Sequence, residues 1–505
     1  MKKYLAIIFI LAITWSGCKK NYLDLNANPN LPITAAPNLL LSGALKITAD
    51  ILNGNTKTTV SGTTATTDAN YTMYACYMGY LSWSTSYQPN VDLLQYTFTN
   101  ANYDVWTKLY INVSNYNELA KATKEPYYLA ISKIMTAFDY QQLVDNYNNV
   151  PYTEALSGTG NLTPKYDKGS DIYDDLMKQL DAAIVLIQKA PANAVNPGPA
   201  DIMYKGVMTN WIQFANTLKL RLAIRQSNLG AKQSALKTAV AATTGLGYIN
   251  ASNPAVVNPG YSSSDYNGGQ QSPLYGAYGY NSTGSAQDYN ARYQANQYGA
   301  NFYLNNADPR AKQVYAANAS GVIIATFLGQ TTTTPAGLTP SKLGPGAIKG
   351  ATMDAVIVSG AEALFLQAEA ASIGLISGSA QSFYNDGITA SFVDDLVPNA
   401  VSAAAAYYAQ PAIAFPVGGS PAQQQKAIIV QKWAALNPYG SFEAFNEYRR
   451  TGYPDNIPLS VYPGANAPNQ ITRILYPAVE YRTNPGVVGA EGNIDKFTSK
   501  IFWAK

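Results

Sequence analysis

The ionisable residues of this chain limit the chemistry that it can perform. Its 505 residues include no histidine, which excludes a Ser–His–Asp triad, a Cys–His pair and any histidine-ligated metal site. Two carboxylates, Glu362 and Glu369, lie about two helical turns apart in an alanine-rich segment, and a carboxylate pair can cleave a glycosidic bond. Because arginines are available to pair with them, we predict a structural role for both. We expect no catalytic residue, no metal and no cofactor.

The segment FEAFNEYRRTGYP at 442–454 combines both signs of charge with aromatic rings. Arg449 and Arg450 could clamp an anion, since guanidinium groups bind carboxylates and phosphates through two parallel hydrogen bonds. Alternatively, Glu443 and Glu447 pair with arginines and hold the end of a helix before the Gly-Tyr-Pro that follows. The spacing suits helix packing and termination, so the sequence favours the internal network.

Aromatic side chains are concentrated in LYGAYGYNSTGSAQDYNARYQANQYG at 274–299, which holds six tyrosines and four glycines. The stretch shows no helical or strand periodicity that would bury its rings, and Leu274 is its only aliphatic residue larger than alanine. We therefore expect rings that face a partner. Tyrosine offers a flat contact and a hydroxyl at low entropic cost, which suits the apolar faces of a sugar. Contact with a second protein and a self-packed loop are the open alternatives.

A second aromatic segment, LSWSTSY at 81–87, places Trp83 and Tyr87 four residues apart among serines. The serines and Pro89 indicate a loop or helix end with partly exposed rings, although a core position for Trp83 is also open. We predict that the ligand contacts a subset of the rings in both segments, with one arginine supplying hydrogen bonds. The predicted ligand-binding residues are Trp83, Tyr87, Tyr278, Tyr280, Arg292 and Tyr293.

The charge of the chain is low. Lys, Arg, Asp and Glu make up 13% of the residues, which is half of the usual fraction of about 25%. The formal net charge is +3, so there is no basic surface that would indicate nucleic acid as a partner. A weakly charged, polar surface suits a neutral ligand.

The N-terminus, MKKYLAIIFILAITWSGCKK, has the form of a secretory signal. Its apolar run at 4–14 is shorter than the roughly 20 residues that a membrane-spanning helix needs. A Ser-Gly pair then precedes Cys18, as in a bacterial lipobox. We predict a signal peptide at 1–17 and acylation of Cys18, with an ordinary cleaved signal as the alternative. Cys76 then has no disulfide partner, and its apolar neighbours predict a small buried side chain.

Helical periodicity dominates the rest of the chain. Apolar stripes predict helices at 127–144, 171–189, 211–225, 360–373 and 422–436, with Ser170 as a candidate N-cap. Strand-like alternation is scarce and is clearest in GVIIATFL at 321–328. The segments 250–306 and 331–350 read as long irregular loops, which are usually functional or disordered. We predict a mainly α-helical single domain at 18–505 with antiparallel helix pairs and long loops, preceded within that range by a tether at 18–37.

Several segments, read in order, resemble the SusD/RagB family of nutrient-binding outer-membrane lipoproteins, specifically its SusD-like branch. The most specific of them is WAALNPYGSFEAFNEYRRTGYP. The others include NYLDLNANPN (21–30), MGYLSWSTSYQPN (78–90), QQLVDNYNNVPYTEAL (141–156), NNADPR (305–310) and YPAVEYRTNP (476–485).

This resemblance implies a fold of divergent tetratricopeptide-like helix pairs and a lipid-anchored protein exposed on the outer membrane. It also implies a partner, a SusC-like TonB-dependent transporter, to which the protein passes an oligosaccharide or, in some members, a peptide. Proteins of this family bind ligands and are not enzymes. A carboxylate glycosidase and an adhesive surface protein are the rival hypotheses.

Overall fold

The computed structural model describes residues 35–54, 57–60, 63–66, 71–264, 270–332 and 337–505, with only the backbone described at 57–60 and 63–66. Cys18, the signal peptide at 1–17 and the tether up to residue 34 lie outside these residues, so the predictions about them stay predictions. The first described helix begins at Pro37, where the tether was expected to end.

Helices make up most of the secondary structure in the described residues. They are α1 (Pro37–Asn53), α2 (Thr72–Tyr77), α3 (Val91–Leu94), α4 (Trp106–Ala122), α5 (Pro126–Tyr147), α6 (Gly169–Gln188), α7 (Met208–Arg225), α8 (Gln233–Ala241), α9 (Pro273–Tyr278), α10 (Asp288–Arg292), α11 (Gln297–Asn305), α12 (Ala311–Val314), α13 (Gly360–Ser372), α14 (Ala380–Asp394), α15 (Ala400–Tyr408), α16 (Pro421–Ala435), α17 (Ser441–Thr451), α18 (Ala478–Thr483) and α19 (Pro485–Ala490).

The strands of the described residues are short and form two-stranded antiparallel sheets. These pair β1 (Lys57–Val60) with β2 (Thr63–Thr66), β3 (Leu81–Trp83) with β7 (Tyr293–Ala295), β4 (Val150–Pro151) with β5 (Tyr166–Asp167), and β6 (Ala255–Val257) with β8 (Ala355–Val358).

The long helices pack on one another in chain order. Helix α4 packs against α5, α5 against α6, and α6 against α7; α7 then contacts α13, which packs against α14 and α16. The predicted apolar stripes form the interfaces, because their residues lie one to two turns apart on one face. The prediction of a mainly α-helical fold is therefore confirmed.

Helix α6 shows how the local sequence sets a boundary. Its stripe is buried as predicted, but the helix begins at Gly169, so Ser170 lies inside it and is not the N-cap. A Cβ atom on residue 169 would lie only 2.5 Å from the carbonyl oxygen of Asn148. Glycine at this position therefore allows the helix to start closer to the end of α5 than another residue would permit.

Two predictions about irregular segments are wrong. The segment 321–328 forms no strand, because its backbone bonds to several different partners instead of one ladder: Ile324 N donates to the Ser341 hydroxyl and Thr326 N to the Ala295 carbonyl. The segment 250–306 is not a structureless excursion either. Its described part contains β6, α9, α10, β7 and α11.

A network of buried charges links α5, α7, α13, α16 and α17. It joins arginines of α7 to glutamates of α13 and α17, and it includes Lys432 of α16. Its ion pairs are Arg221–Glu362, Arg225–Asp145, Arg225–Glu443, Arg225–Glu447, Lys432–Glu443, Lys432–Glu447, Arg450–Glu369 and Arg450–Glu447.

This network confirms the structural interpretation of the charged motif at 442–454. Glu443 is buried, which alone would raise its pKa, but Arg225 and Lys432 hold that pKa well below its usual value. The Arg449 guanidinium donates to the carbonyl oxygens of Asp145 and Thr472 at 2.6 and 2.9 Å. The side chains of Arg449 and Arg450 are thus directed into the interior and are not available to clamp an external anion.

Candidate functional site

The two aromatic segments meet in the small sheet formed by β3 and β7. Trp83 lies opposite Tyr293 in the register of this sheet. The two ring centroids are 5.2 Å apart, with the ring planes at 80°. The Trp83 indole nitrogen donates a 3.0 Å hydrogen bond to the Gln88 carbonyl oxygen, which fixes the orientation of the indole. Residues far apart in the sequence are therefore brought together as the prediction requires.

Three further tyrosines complete what we call the aromatic cluster, namely Trp83, Tyr87, Tyr278, Tyr289 and Tyr293. Tyr289 packs edge-on against Tyr293 at 5.2 Å and against Tyr278 at 5.3 Å. Tyr278 also lies 6.0 Å from Tyr293, and its hydroxyl bonds to the Thr72 hydroxyl at 3.1 Å.

The expectation that the tyrosine-rich stretch cannot bury its rings is wrong. Tyr278, Tyr289 and Tyr293 are all buried, and Trp83 is only 6% exposed. The physical reason is that aromatic rings pack edge-to-face on one another. A small core can therefore form without a periodic pattern of aliphatic side chains. The self-packed alternative therefore describes part of this stretch.

Two predicted residues do present their rings to solvent. Tyr87 is 37% exposed and lies at the edge of the cluster, 6.0 Å from Trp83. Tyr280 is 46% exposed and lies on a turn closed by its bridge to Ala286. Exposed aromatic rings on an ordered base are the groups that can stack on a ligand.

Arg292 is held beside Tyr87 by its own carboxylate partner. Its Nε lies 2.9 Å from Asp288 Oδ1 and its Nη2 lies 2.7 Å from Oδ2, a bidentate pair across one helical turn of α10. The guanidinium carbon lies 5.6 Å from the centroid of the Tyr87 ring. Because Asp288 neutralises the arginine, this edge of the cluster offers hydrogen-bond donors and acceptors without net charge.

Residues 41–477 match the SusD-like family model, which is described as starch-binding and associating with the outer membrane. The chain belongs to the SusD-like family. No curated protein matches the chain.

Solved structures have the same fold as this SusD-like protein. A SusD homolog from Bacteroides uniformis is 22% identical, with a TM-score of 0.71 over 92% of this chain and 99% of that one. A chitin-binding SusD homolog from Flavobacterium johnsoniae is 21% identical, with a TM-score of 0.74 over 92% and 98%. A SusD-like protein from Bacteroides thetaiotaomicron is 22% identical, with a TM-score of 0.71 over 92% and 98%. The predicted SusD-like fold is thus confirmed.

Two residues of the site were missed in the sequence of this SusD-like protein. Neither Tyr289 nor Asp288 was among the predicted ligand-binding residues. The spacing in DYNARY contained a signal for both. Asp288 precedes Arg292 by four residues, as in a helical ion pair, and Tyr289 precedes Tyr293 by the same interval.

A separate cleft of about 490 Å³ opens between the 250–254 loop, α13 and α14 of this SusD-like protein, lined in part by Leu364, Phe383 and Asp386. Its volume is in the range of small-ligand sites. Its lining residues do not include those of the aromatic cluster, which offers the better stacking surface.

Metal binding and membrane crossing require side-chain clusters or long apolar helices in the described ranges of this SusD-like protein. These ranges contain no group of three or more His, Cys, Asp or Glu residues that could hold a metal ion. The same ranges contain no helix that is both long enough and apolar enough to cross a bilayer.

Proposed function

We propose that this SusD-like protein binds a neutral oligosaccharide at the aromatic cluster and delivers it to a SusC-like TonB-dependent transporter. The observation that carries the proposal is the exposed ring of Tyr87 at the edge of a packed aromatic base. A sugar can stack on such a ring, because the C–H face of a pyranose is apolar and an aromatic side chain loses little entropy when it is covered.

Within the predicted set, we assign different roles to exposed and buried residues. Tyr87 supplies the stacking surface of the cluster, Tyr280 supplies a second one on the turn that follows Tyr278, and Arg292 donates hydrogen bonds to sugar hydroxyls. Trp83 contributes its accessible edge. The buried rings of Tyr278 and Tyr293 support the base and contact the ligand little.

A neutral glycan fits this site better than a charged peptide. The positive charge of Arg292 is already paired with Asp288 at 2.7 Å, so a ligand carboxylate gains little by binding there. The chitin-binding function named for one similar structure supports a polysaccharide fragment as the ligand class. A peptide is the alternative within the same family.

The proposal is for a binding protein rather than an enzyme. Glu362 and Glu369 could have formed the acid and base of a glycosidase, but both are buried and each pairs with a buried arginine. They therefore cannot reach a substrate on the surface. We further propose that Cys18 carries the lipid that anchors the protein at the cell surface.

The test is calorimetry of the chain after Cys18 against panels of neutral glycans and of peptides. Saturable binding of a glycan, weakened by the Tyr87→Ala substitution, would support the proposal. Binding of peptides alone would favour the alternative ligand class. The absence of saturable binding to either panel would favour an adhesive surface protein.

A further inference from the structure

A lysine outside the aromatic cluster holds the segment that carries Arg292 and Tyr293. The Lys342 ammonium group donates hydrogen bonds to the carbonyl oxygens of Tyr293 at 3.0 Å and of Ala291 at 3.4 Å. Between these two, the Arg292 carbonyl oxygen accepts a 2.7 Å hydrogen bond from the Ser84 amide. Three consecutive carbonyl groups at the junction of α10 and β7 are thus bound by donors from two other segments.

The backbone of the lysine is itself fixed. Ala295 N donates to the Ser341 carbonyl oxygen at 2.8 Å, and Ala316 N donates to the Lys342 carbonyl oxygen at 2.9 Å. The loop that contains Ser341 and Lys342 therefore runs alongside β7. From this fixed backbone, the Lys342 side chain reaches the junction of α10 and β7. Because the Lys342 side chain is fixed at its backbone and at its ammonium group, it holds the carbonyl groups that it binds in place.

The ammonium group bonds to carbonyl dipoles in a partly buried environment. Burial lowers the pKa of Lys342 to about 8. The charged groups of the adjoining α10, Asp288 and Arg292, pair with each other, and the titratable rings of this segment, Tyr289 and Tyr293, pack against each other. Hydrogen bonds from a charged donor are stronger than neutral ones, so the protonated lysine holds the junction more firmly than the neutral amine.

We infer that Lys342 is a positioning residue for the glycan site: it fixes the backbone at 291–293 so that the Arg292 guanidinium lies beside Tyr87 and the Tyr293 ring packs against Trp83. Its effect on ligand binding rests on the proposed function. Its effect on the backbone does not, and the two effects are measured separately.

The test uses the full-length protein in mild detergent with Lys342→Met, which keeps the length of the side chain but removes the donors, and Lys342→Arg, which keeps the donors. The matched control is Lys237→Met at an exposed lysine of α8. Amide hydrogen exchange is followed in peptides spanning 288–296. Calorimetry measures the affinity for the glycan that the wild type binds best in the panel.

We expect exchange at 291–295 to become roughly tenfold faster in Lys342→Met, and glycan affinity to fall by a similar factor, as for the loss of one charge-assisted hydrogen bond. Lys342→Arg and the control should resemble the wild type. Wild-type affinity should also fall as the pH rises through about 8, whereas Lys342→Arg should show no such fall because arginine stays protonated.

Unchanged exchange in Lys342→Met, or equally fast exchange in Lys342→Arg, would overturn the inference. Faster exchange with unchanged affinity would show that the junction does not serve the glycan site. If the wild type binds neither glycan nor peptide but exchange still responds, the proposed function fails and the backbone role stands. Should Lys342→Met not fold, Lys342→Gln gives the same comparison, because its shorter side chain cannot reach both carbonyls.

Discussion

At the scale of single residues, exposure decides which ring of the aromatic cluster serves a ligand. Tyr87 and Trp83 are neighbours in space, yet Tyr87 is 37% exposed and Trp83 6%. Truncation of a ring that stacks on a ligand typically costs about 2 kcal/mol or more, which corresponds to roughly a thirtyfold loss of affinity. We therefore expect Tyr87→Ala to weaken glycan binding by about this factor while the melting temperature changes little.

The matched control for Tyr87 is Tyr481→Ala, because Tyr481 is a comparably exposed tyrosine on α18. Calorimetry and thermal melts on both variants separate binding from packing. A Tyr87→Ala protein that melts well below the wild type and binds normally once folded would assign Tyr87 to packing, and the proposed stacking role would be lost.

A second residue-scale prediction concerns the pH dependence of stability. Burial raises the pKa of the Asp395 carboxyl to about 7, although the nearby Arg310 partly opposes the shift. The pKa of an unfolded aspartate is about 3.9. Between these values the folded state binds more protons than the unfolded state, so this group lowers stability as the pH rises from about 4 to 7.

Asp395→Asn removes this titration. We expect the free energy of unfolding of the variant, relative to the wild type, to rise by about 2 kcal/mol between pH 5 and pH 7. Denaturant titrations at both pH values measure the difference. Parallel pH profiles for the two proteins would mean that the carboxyl is ionised in the folded state throughout this range.

At the scale of elements, the sequence predicted the long helices well and the aromatic sheet poorly. The stripe of α6 was readable because each turn repeats the same apolar position along a continuous segment. The pairing of Trp83 with Tyr293 was not readable, because β3 and β7 have only three residues each and are separated by more than 200 residues of sequence. No local sequence pattern predicts a contact between two such distant segments.

For the candidate site residues, too, the sequence predicted some features and not others. Aromatic density singled out two segments that meet in the structure, where Trp83, Tyr87, Tyr278 and Tyr293 form one cluster with Tyr289. Their contact with a ligand stays a prediction. Their exposure could not be predicted from spacing. Which ring points outward depends on short elements that lack periodicity and on edge-to-face packing between segments.

The buried charge network makes an element-scale prediction about how α7 is held against α13. The carboxylate of Glu362 pairs with Arg221, and both side chains are almost fully buried. Removing one partner of a buried ion pair leaves the other charge without compensation, which costs about 3 kcal/mol or more. We expect Glu362→Gln to lower the free energy of unfolding by about this amount.

An exposed ion pair provides the comparison. Glu118 and Lys121 are 2.8 Å apart, with side chains 55% and 59% exposed. Exposed pairs contribute about 0–1 kcal/mol, so Glu118→Gln should have almost no effect in the same denaturant titrations. Similar losses in both variants would mean that Arg221 finds another partner or that water reaches the interior.

At the scale of the whole molecule, the proposed capture of a glycan and its proposed delivery to a transporter need surfaces of different size. The aromatic cluster occupies one small sheet and the short helices α9 and α10 beside it, whereas the family match extends over residues 41–477 and so includes the helical array. A surface used for a protein partner must be large, about 800 Å² on each side in a stable complex. Substitutions at the cluster should therefore affect ligand capture without releasing the transporter.

Co-purification and growth assays test whether glycan capture and transporter binding are separate. Purification of the tagged full-length protein from membranes in mild detergent should recover a TonB-dependent β-barrel transporter with it. Tyr87→Ala should recover the transporter equally well but should slow growth on the bound glycan, because only capture is weakened. Cys18→Ala should leave the membrane fraction and lose a fatty-acid label, because acylation at that residue is the proposed anchor. If the wild type purifies without a transporter, and deletion of its gene leaves growth on every glycan that it binds unchanged, then the protein does not take part in uptake.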